Sequence, residues 1–238
     1  MVDEVVGVAV GETATDGGGR SGIGALIKRG GGVLVLNGAS RHSGGTIVEA
    51  GVLVIRDVAA LGSERLEVWA GACVTLDVGF GEVVLSALIV DPLGRIELGT
   101  GRLSIASAGI TEAVVRQMLI LGRNGGAWDG TTGFSSRAAT PGRGRALGYV
   151  ATPDAITIAY AAAGDGNLDG IVDLFDANGL ASALQSIEPA GAAWYSADYN
   201  YDGAVDVLDI VDFLSTGLFD QGSYLTASEA AFASYGAE

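Results

Sequence analysis

Residues 25–62 read ALIKRGGGVLVLNGASRHSGGTIVEAGVLVIRDVAALG. Two short apolar runs stand in this stretch, VLVL after Gly32 and VLVI after Gly51, each set off by a glycine turn. The phrase recurs downstream: Gly71 opens ACVTLDV, Gly94 opens RIELG and Gly101 opens RLSI. The first spacings are 19, 20 and 23 residues. Alternating apolar residues bounded by glycine turns predict strands. A period of about 20 predicts that each unit is one rung of a parallel β-solenoid. A lone rung cannot bury its own apolar face, so rungs must stack and pair backbone to backbone around a continuous core. A β-sandwich of short hairpins is the competing reading.

Composition supports a folded chain and divides it. Of 238 residues, 49% are hydrophobic and 17% charged, enough apolar material for a sizeable core. Residues 1–150 hold 30 of the 39 glycines and all 13 Lys and Arg against 14 Asp and Glu. Residues 151–238 hold 14 acidic residues and no basic ones. Such an acidic half repels phosphates and anionic lipid, so no nucleic-acid partner is expected. Its apolar content argues against a solvating tail and for a cation site. The longest apolar run, Val83 to Val90, is broken by Ser86 and is far short of the roughly 18 residues of a spanning helix. The start, Met1-Val2-Asp3-Glu4, does not read as a signal peptide, so for an exported protein the expectation is either a longer chain upstream of it or a misassigned start. The single cysteine, Cys73, reads as a small buried hydrophobe.

The quoted stretch resembles the autotransporter-associated β-strand repeat, whose signature is GxLxLxGxNxYxGGTxVxxGxLxV. Gly32, Leu34, Leu36, Gly38, Gly44, Gly45, Thr46, Val48, Gly51 and Leu53 fall on that pattern, while Ser40 and His42 replace its Asn and Tyr. The resemblance covers one good repeat and looser rungs to about residue 106. It implies a β-helix fragment of a large exported protein at the cell surface or outside the cell.

Catalysis by the solenoid would call for clustered carboxylates. Asp57, Glu64, Glu67, Asp77, Glu82, Asp91 and Glu97 are instead scattered and read as solvated outer-face charges. His42 reads as a surface residue in a glycine-rich turn, with no nucleophile motif beside it. The glycine triplets 17–19 and 30–32 lack the Lys-Ser/Thr of a phosphate loop and read as turns. The expectation is a non-enzyme, with a β-helix carbohydrate-active enzyme as an alternative.

Residues 111–162 read as a connector. Thr111 is the expected N-cap of a helix through AVVRQMLILG, with Val114, Val115, Met118 and Leu119 on one face and Gly122 as its stop. Such a helix would cover the last open rung of the 1–110 solenoid. A glycine-rich loop follows, with Trp128 as a packing anchor, and then a hairpin turning at Thr152-Pro153-Asp154.

Two aspartate loops carry the chemical signal. Residues 165–176 read DGNLDGIVDLFD and residues 198–209 read DYNYDGAVDVLD. Both place Asp at positions 1, 5, 9 and 12, Asn at 3 and Gly at 6. A hard cation takes about six to eight oxygens, and a tight loop turns alternate side chains toward one point. The expected ligands are Asp165, Asn167, Asp169, the Ile171 carbonyl, Asp173 and Asp176, and in the second loop Asp198, Asn200, Asp202, the Ala204 carbonyl, Asp206 and Asp209. An all-oxygen set favours Ca²⁺ over zinc. Two Ca²⁺ ions are therefore expected, one per loop. Helices are expected after each loop, at LFDANGLASALQS and VLDIVDFLSTGLF, and Val172 and Val205 could pair across the loops.

Loop then helix, twice, resembles the type I dockerin module over about residues 163–220. The expected fold class is thus a mainly β solenoid followed by a small α module, residues 163–222, and a tail, residues 223–238. The resemblance implies a calcium-stabilised module that docks a cohesin-like or other surface protein domain, often in polysaccharide degradation. In that family, positions 10 and 11 help choose the partner; here they are Leu174, Phe175, Val207 and Leu208, in place of small polar residues. An adhesin-like structural protein, with calcium as a staple only, is the alternative.

Overall fold

The computed structural model describes residues 3–62, 65–139, 144–185 and 192–226. Its first half is a parallel solenoid. One sheet stacks β1 (Glu4–Gly7), β4 (Leu26–Arg29), β7 (Thr46–Val48), β9 (Arg65–Val68) and β12 (Ala87–Val90) in that order. A second stacks β2 (Thr13–Asp16), β5 (Val33–Leu36), β8 (Val52–Ile55), β10 (Cys73–Leu76), β13 (Arg95–Glu97) and β15 (Gly133–Ser135). Two further strands, β3 (Ser21–Gly22) and β6 (Arg41–His42), pair on the third side. Every neighbour in these sheets is parallel, which excludes the hairpin sandwich.

Register explains why the apolar alternation builds a core. Leu34 lies beside Leu53, Leu53 beside Val74, Val74 beside Ile96 and Ile96 beside Phe134. All five side chains are buried, and each is worth about 1.5–3 kcal/mol of removed apolar surface. The tight corner at Gly51 has a φ of 73°, and a Cβ there would stand 2.5 Å from the carbonyl oxygens of Gly30 and Gly32. One core position is charged: Lys28, fully buried in β4, donates from Nζ to the carbonyls of Arg29 (3.1 Å), Gly30 (2.6 Å) and Ala50 (2.9 Å). It thereby joins two successive turns.

A third sheet ends the solenoid and redirects the chain. In it β11 (Glu82–Leu85) pairs parallel with β14 (Arg102–Ala106). The hairpin strands β16 (Arg145–Ala151) and β17 (Ala155–Ala162) then join antiparallel, β17 against β14. RLSI is therefore the third side of the turn that Gly94 opens, not a new rung of the Gly-led column. Helix α1 (Glu112–Arg123) is capped by the Thr111 hydroxyl, which accepts from Val114 N–H, and packs on β15. Val115, Met118 and Leu119 are buried as expected, but Val114 is exposed. Gly122 does not stop the helix. It lies inside it, where a Cβ would meet the Phe134 carbonyl oxygen at 1.6 Å; Asn124, in the left-handed region, ends it. Trp128 is buried, as its reading predicted.

Two readings of charged and polar solenoid residues are corrected. Glu97 is buried, not solvated: it accepts from Ser135 Oγ (2.8 Å) and Arg137 N–H (2.6 Å) and so pins the chain after β15. His42 is buried rather than superficial, with Nε2 3.1 Å from Thr46 Oγ1. Ser40, the other departure from the repeat signature, is buried too. Asp57 and Glu67 are half-buried, Asp77, Glu82 and Asp91 are exposed, and Glu64 lies outside the described residues. Cys73 is buried and unpaired. No helix of the described residues is long and apolar enough to cross a membrane.

Candidate functional site

Residues 165–176 and 198–209 form two loops, each leading into a helix, α2 (Leu174–Gln185) and α3 (Val207–Ser215). The two loops share six hydrogen bonds at equivalent positions. The carboxylate at position 1 accepts from the glycine at position 6: Gly170 N–H to Asp165 at 2.9 Å, and Gly203 N–H to Asp198 at 3.1 Å. Asn167 accepts from Asp169 N–H at 2.9 Å and Asn200 from Asp202 N–H at 2.7 Å. Asp169 accepts from Ile171 N–H and Asp202 from Ala204 N–H, both at 2.9 Å. Asp173 and Asp206 accept from Phe175 and Leu208 N–H, both at 2.7 Å. The twelfth-position carboxylates reach back across the loop: Asp176 to Gly166 and Asp173 N–H, Asp209 to Tyr199 and Asp206 N–H.

Backbone angles repeat as well. Position 4 is left-handed in both loops (Leu168 φ 61°, Tyr201 φ 62°), and so is the glycine at position 6 (Gly170 φ 84°, Gly203 φ 93°). Side chains at positions 1 and 12, Asp165, Asp176, Asp198 and Asp209, are buried, while Asn167, Asp169, Asp202 and Asp206 face outward or partly so. Burial raises all four buried carboxyls above the ordinary Asp range. Asp165 is pushed up to about 6, against hydrogen bonds from Tyr224 and Gly170 that favour its anion. Carboxylates kept from water in this way favour a cation beside them, which Arg116 supplies in part at Asp198.

The donor set suits a hard divalent ion: carboxylate and amide oxygens with no thiol or imidazole among them. Each oxygen that accepts one N–H keeps a second lone pair. The buried Asp198 Oδ1 has no hydrogen-bond partner among the described residues. As they stand, the side chains are turned onto backbone N–H groups. Among the described residues, no group of three or more His, Cys, Asp or Glu is ready-made to hold a metal ion. Closing either loop on a cation thus requires the outward Asp and Asn groups at positions 3, 5 and 9 to turn inward.

Several residues that position the loops were not singled out in the sequence. Trp194, fully buried four residues ahead of the second loop, donates its indole N–H to the Asp165 carbonyl of the first (2.8 Å). It also stacks on Tyr201, which donates its hydroxyl to the Leu147 carbonyl of β16. Gly148 makes room for it, since a Cβ there would stand 2.4 Å from the indole nitrogen. Arginines of the solenoid half reach both position-4 carbonyls: Arg102 that of Leu168, and Arg116 that of Tyr201. Arg116 also pairs with Asp198 at 3.0 Å. Tyr224 gives its hydroxyl to Asp165 at 2.6 Å. The signal that could have flagged the arginines was the segregation of charge along the chain. Of the two position-8 valines, Val172 is buried and Val205 half-buried, and the Val172 carbonyl accepts from Asp220 N–H. Leu174, Phe175, Val207 and Leu208 are all more than half exposed.

The architecture is that of a five-turn parallel β-solenoid whose capped end carries a duplicated acidic loop–helix unit. Residues 26–55, spanning β4 to β8, match the family of the Passenger-associated-transport-repeat. No curated protein and no solved structure matches the chain.

Proposed function

We propose that this chain is a non-catalytic part of a secreted or cell-surface protein, in which a β-solenoid stalk carries a calcium-stabilised, dockerin-like docking module. The observation that carries the reading is the hydrogen-bond pattern that the two aspartate loops share, together with the left-handed fourth residue and the left-handed glycine at position 6. Two unrelated surface turns would not share six hydrogen bonds and two left-handed positions. Asp165, Asn167, Asp169, Asp173 and Asp176, with the Ile171 carbonyl, would hold one Ca²⁺. Asp198, Asn200, Asp202, Asp206 and Asp209, with the Ala204 carbonyl, would hold the other. Bound calcium would neutralise these buried carboxylates, of which Asp198 already has Arg116 as a partner. The transport-repeat match at residues 26–55 supports an exported location.

The docking face would include Leu174, Phe175, Val207 and Leu208, exposed apolar residues at equivalent positions of the two units. Their chemistry calls for an apolar, cohesin-like or other surface domain as partner, and polysaccharide degradation is the setting such modules suggest. A staple-only, adhesin-like role is favoured by a different observation: Trp194, Tyr201 and Arg116 hold the loops against the connector and the cap. Thermal melting of the full chain with calcium and after chelation tests the calcium reading, which predicts a higher melting temperature with the ion; no difference contradicts it. Calcium-dependent capture of one defined domain, lost on Phe175→Ser together with Leu208→Ser, supports docking. Capture that survives both substitutions contradicts the assigned face.

A further inference from the structure

The two loops share a backbone but not an environment. At the first, Asp165 receives the neutral Tyr224 hydroxyl at 2.6 Å, and Arg102 reaches the Leu168 carbonyl. At the second, the guanidinium of Arg116 lies on a carboxylate of the loop itself. Its Nη2 donates to Asp198 Oδ2 at 3.0 Å and to the Tyr201 carbonyl at 3.4 Å, and its Nε donates to the Ala192 carbonyl at 3.3 Å. Gly203 N–H donates to the same Oδ2 at 3.1 Å. That leaves Asp198 Oδ1, fully buried and without a partner among the described residues, as the position-1 oxygen open to an ion.

We propose that Arg116 is a built-in monocation at the second loop: it holds that loop folded without metal and makes it the weaker of two unequal divalent-cation sites. The inference rests on the calcium reading above and deepens it. Arg116 comes from α1, the helix that covers the solenoid, so the second loop is tied to the stalk by charge before any ion arrives. A divalent ion entering there meets a fixed positive charge on its first ligand. At the separations of a shared carboxylate, even water-like screening makes that repulsion worth about tenfold or more in affinity. The first loop, whose Asp165 is met by a hydroxyl, carries no such penalty from its position-1 partner.

Calorimetric titration of the full chain with calcium chloride tests this. The wild type should show two well-separated affinities. Asp198→Asn should keep the tighter site, and Asp165→Asn should leave only one that is weaker by about tenfold or more. Arg116→Gln should tighten the weaker site by about tenfold, whereas Arg116→Lys, which keeps the charge, should not. Near-ultraviolet circular dichroism of each variant checks that Trp194 and Tyr201 remain packed. Equal affinities in the two Asp→Asn variants, or a weaker site that Arg116→Gln leaves unchanged, would overturn the proposal while leaving the calcium reading intact. Absence of calcium uptake by both loops, in the wild type and in Arg116→Gln, would overturn both.

Discussion

Replacing Gly122 by alanine puts local preference and packing in direct opposition. Gly122 lies inside α1, where alanine is intrinsically the better helix former by about 1 kcal/mol. Judged by the helix alone, Gly122→Ala should stabilise. Yet the new Cβ would sit 1.6 Å from the Phe134 carbonyl oxygen and 2.3 Å from its carbon, against a practical limit of 3.0 Å. The obstacle is strand backbone, already paired in the ladder to β13, so the helix must retreat. Val115, Met118 and Leu119 then lose part of their contact with the core. Fully buried, three such side chains contribute about 4.5–9 kcal/mol, and a gap of about 1 Å forfeits up to about half of the contact energy. After subtracting the gain in helix propensity, the variant should be less stable by about 1–3.5 kcal/mol. Gly179→Ala in α2 is the matched control: nothing lies within 4 Å of its Cβ, so stability should rise by up to about 1 kcal/mol. Urea denaturation of both variants, followed by circular dichroism, reads the two signs. A Gly122→Ala protein as stable as the wild type would refute the close approach of α1 to β15.

Lys28→Met keeps the apolar stem but strands three turn carbonyls. Hydrogen bonds to a charged group are worth about 1.5–3 kcal/mol each, partly offset by no longer burying an ammonium, so a loss of about 2 kcal/mol is expected in the same assay. A neutral or stabilising result would mean that the ammonium does not join the turns. In metal-free buffer, Asp165, raised from 3.8 to about 6, contributes stability that is fully present below pH 3.8 and is lost as pH climbs through about 6. Asp165 alone should therefore give metal-free protein a gain of up to about 3 kcal/mol on acidification from pH 7 through this window, and Asp165→Asn should make the slope shallower by that share, the remainder coming from Asp176, Asp198 and Asp209; an unchanged slope in the variant would contradict the assignment. Phe175→Ser, at a residue 72% exposed, should shift stability by no more than about 0.5 kcal/mol, whereas Val172→Ala, fully buried, should cost about 1 kcal/mol or more. Equal costs would place Phe175 inside the core.

The solenoid was legible because its two governing periods are local: alternation along a strand and glycine at the corner. Leu34, Leu53 and Val74 announce their column without reference to any distant residue. Lys28 and His42 were opaque for the opposite reason, since only the neighbouring turn supplies the Ala50 carbonyl and the core column that hides them. Gly122 was misread because a helix-ending glycine and a close-packing glycine look alike until the facing strand is known. In the acidic half, the loop spacing marked positions 1, 3, 5, 6, 9 and 12 directly. The partners of those residues were out of reach: Arg102, Arg116 and Trp194 lie dozens of residues away from the groups they hold.

Hydrogen exchange of the full chain, in millimolar calcium and in metal-free buffer, tests the central claim most directly. The account predicts that the loop amides of Gly170, Ile171, Gly203 and Ala204 slow when calcium is present, while those of the solenoid core in β5, β8 and β10 do not change. Identical exchange of both loops in the two buffers would contradict it.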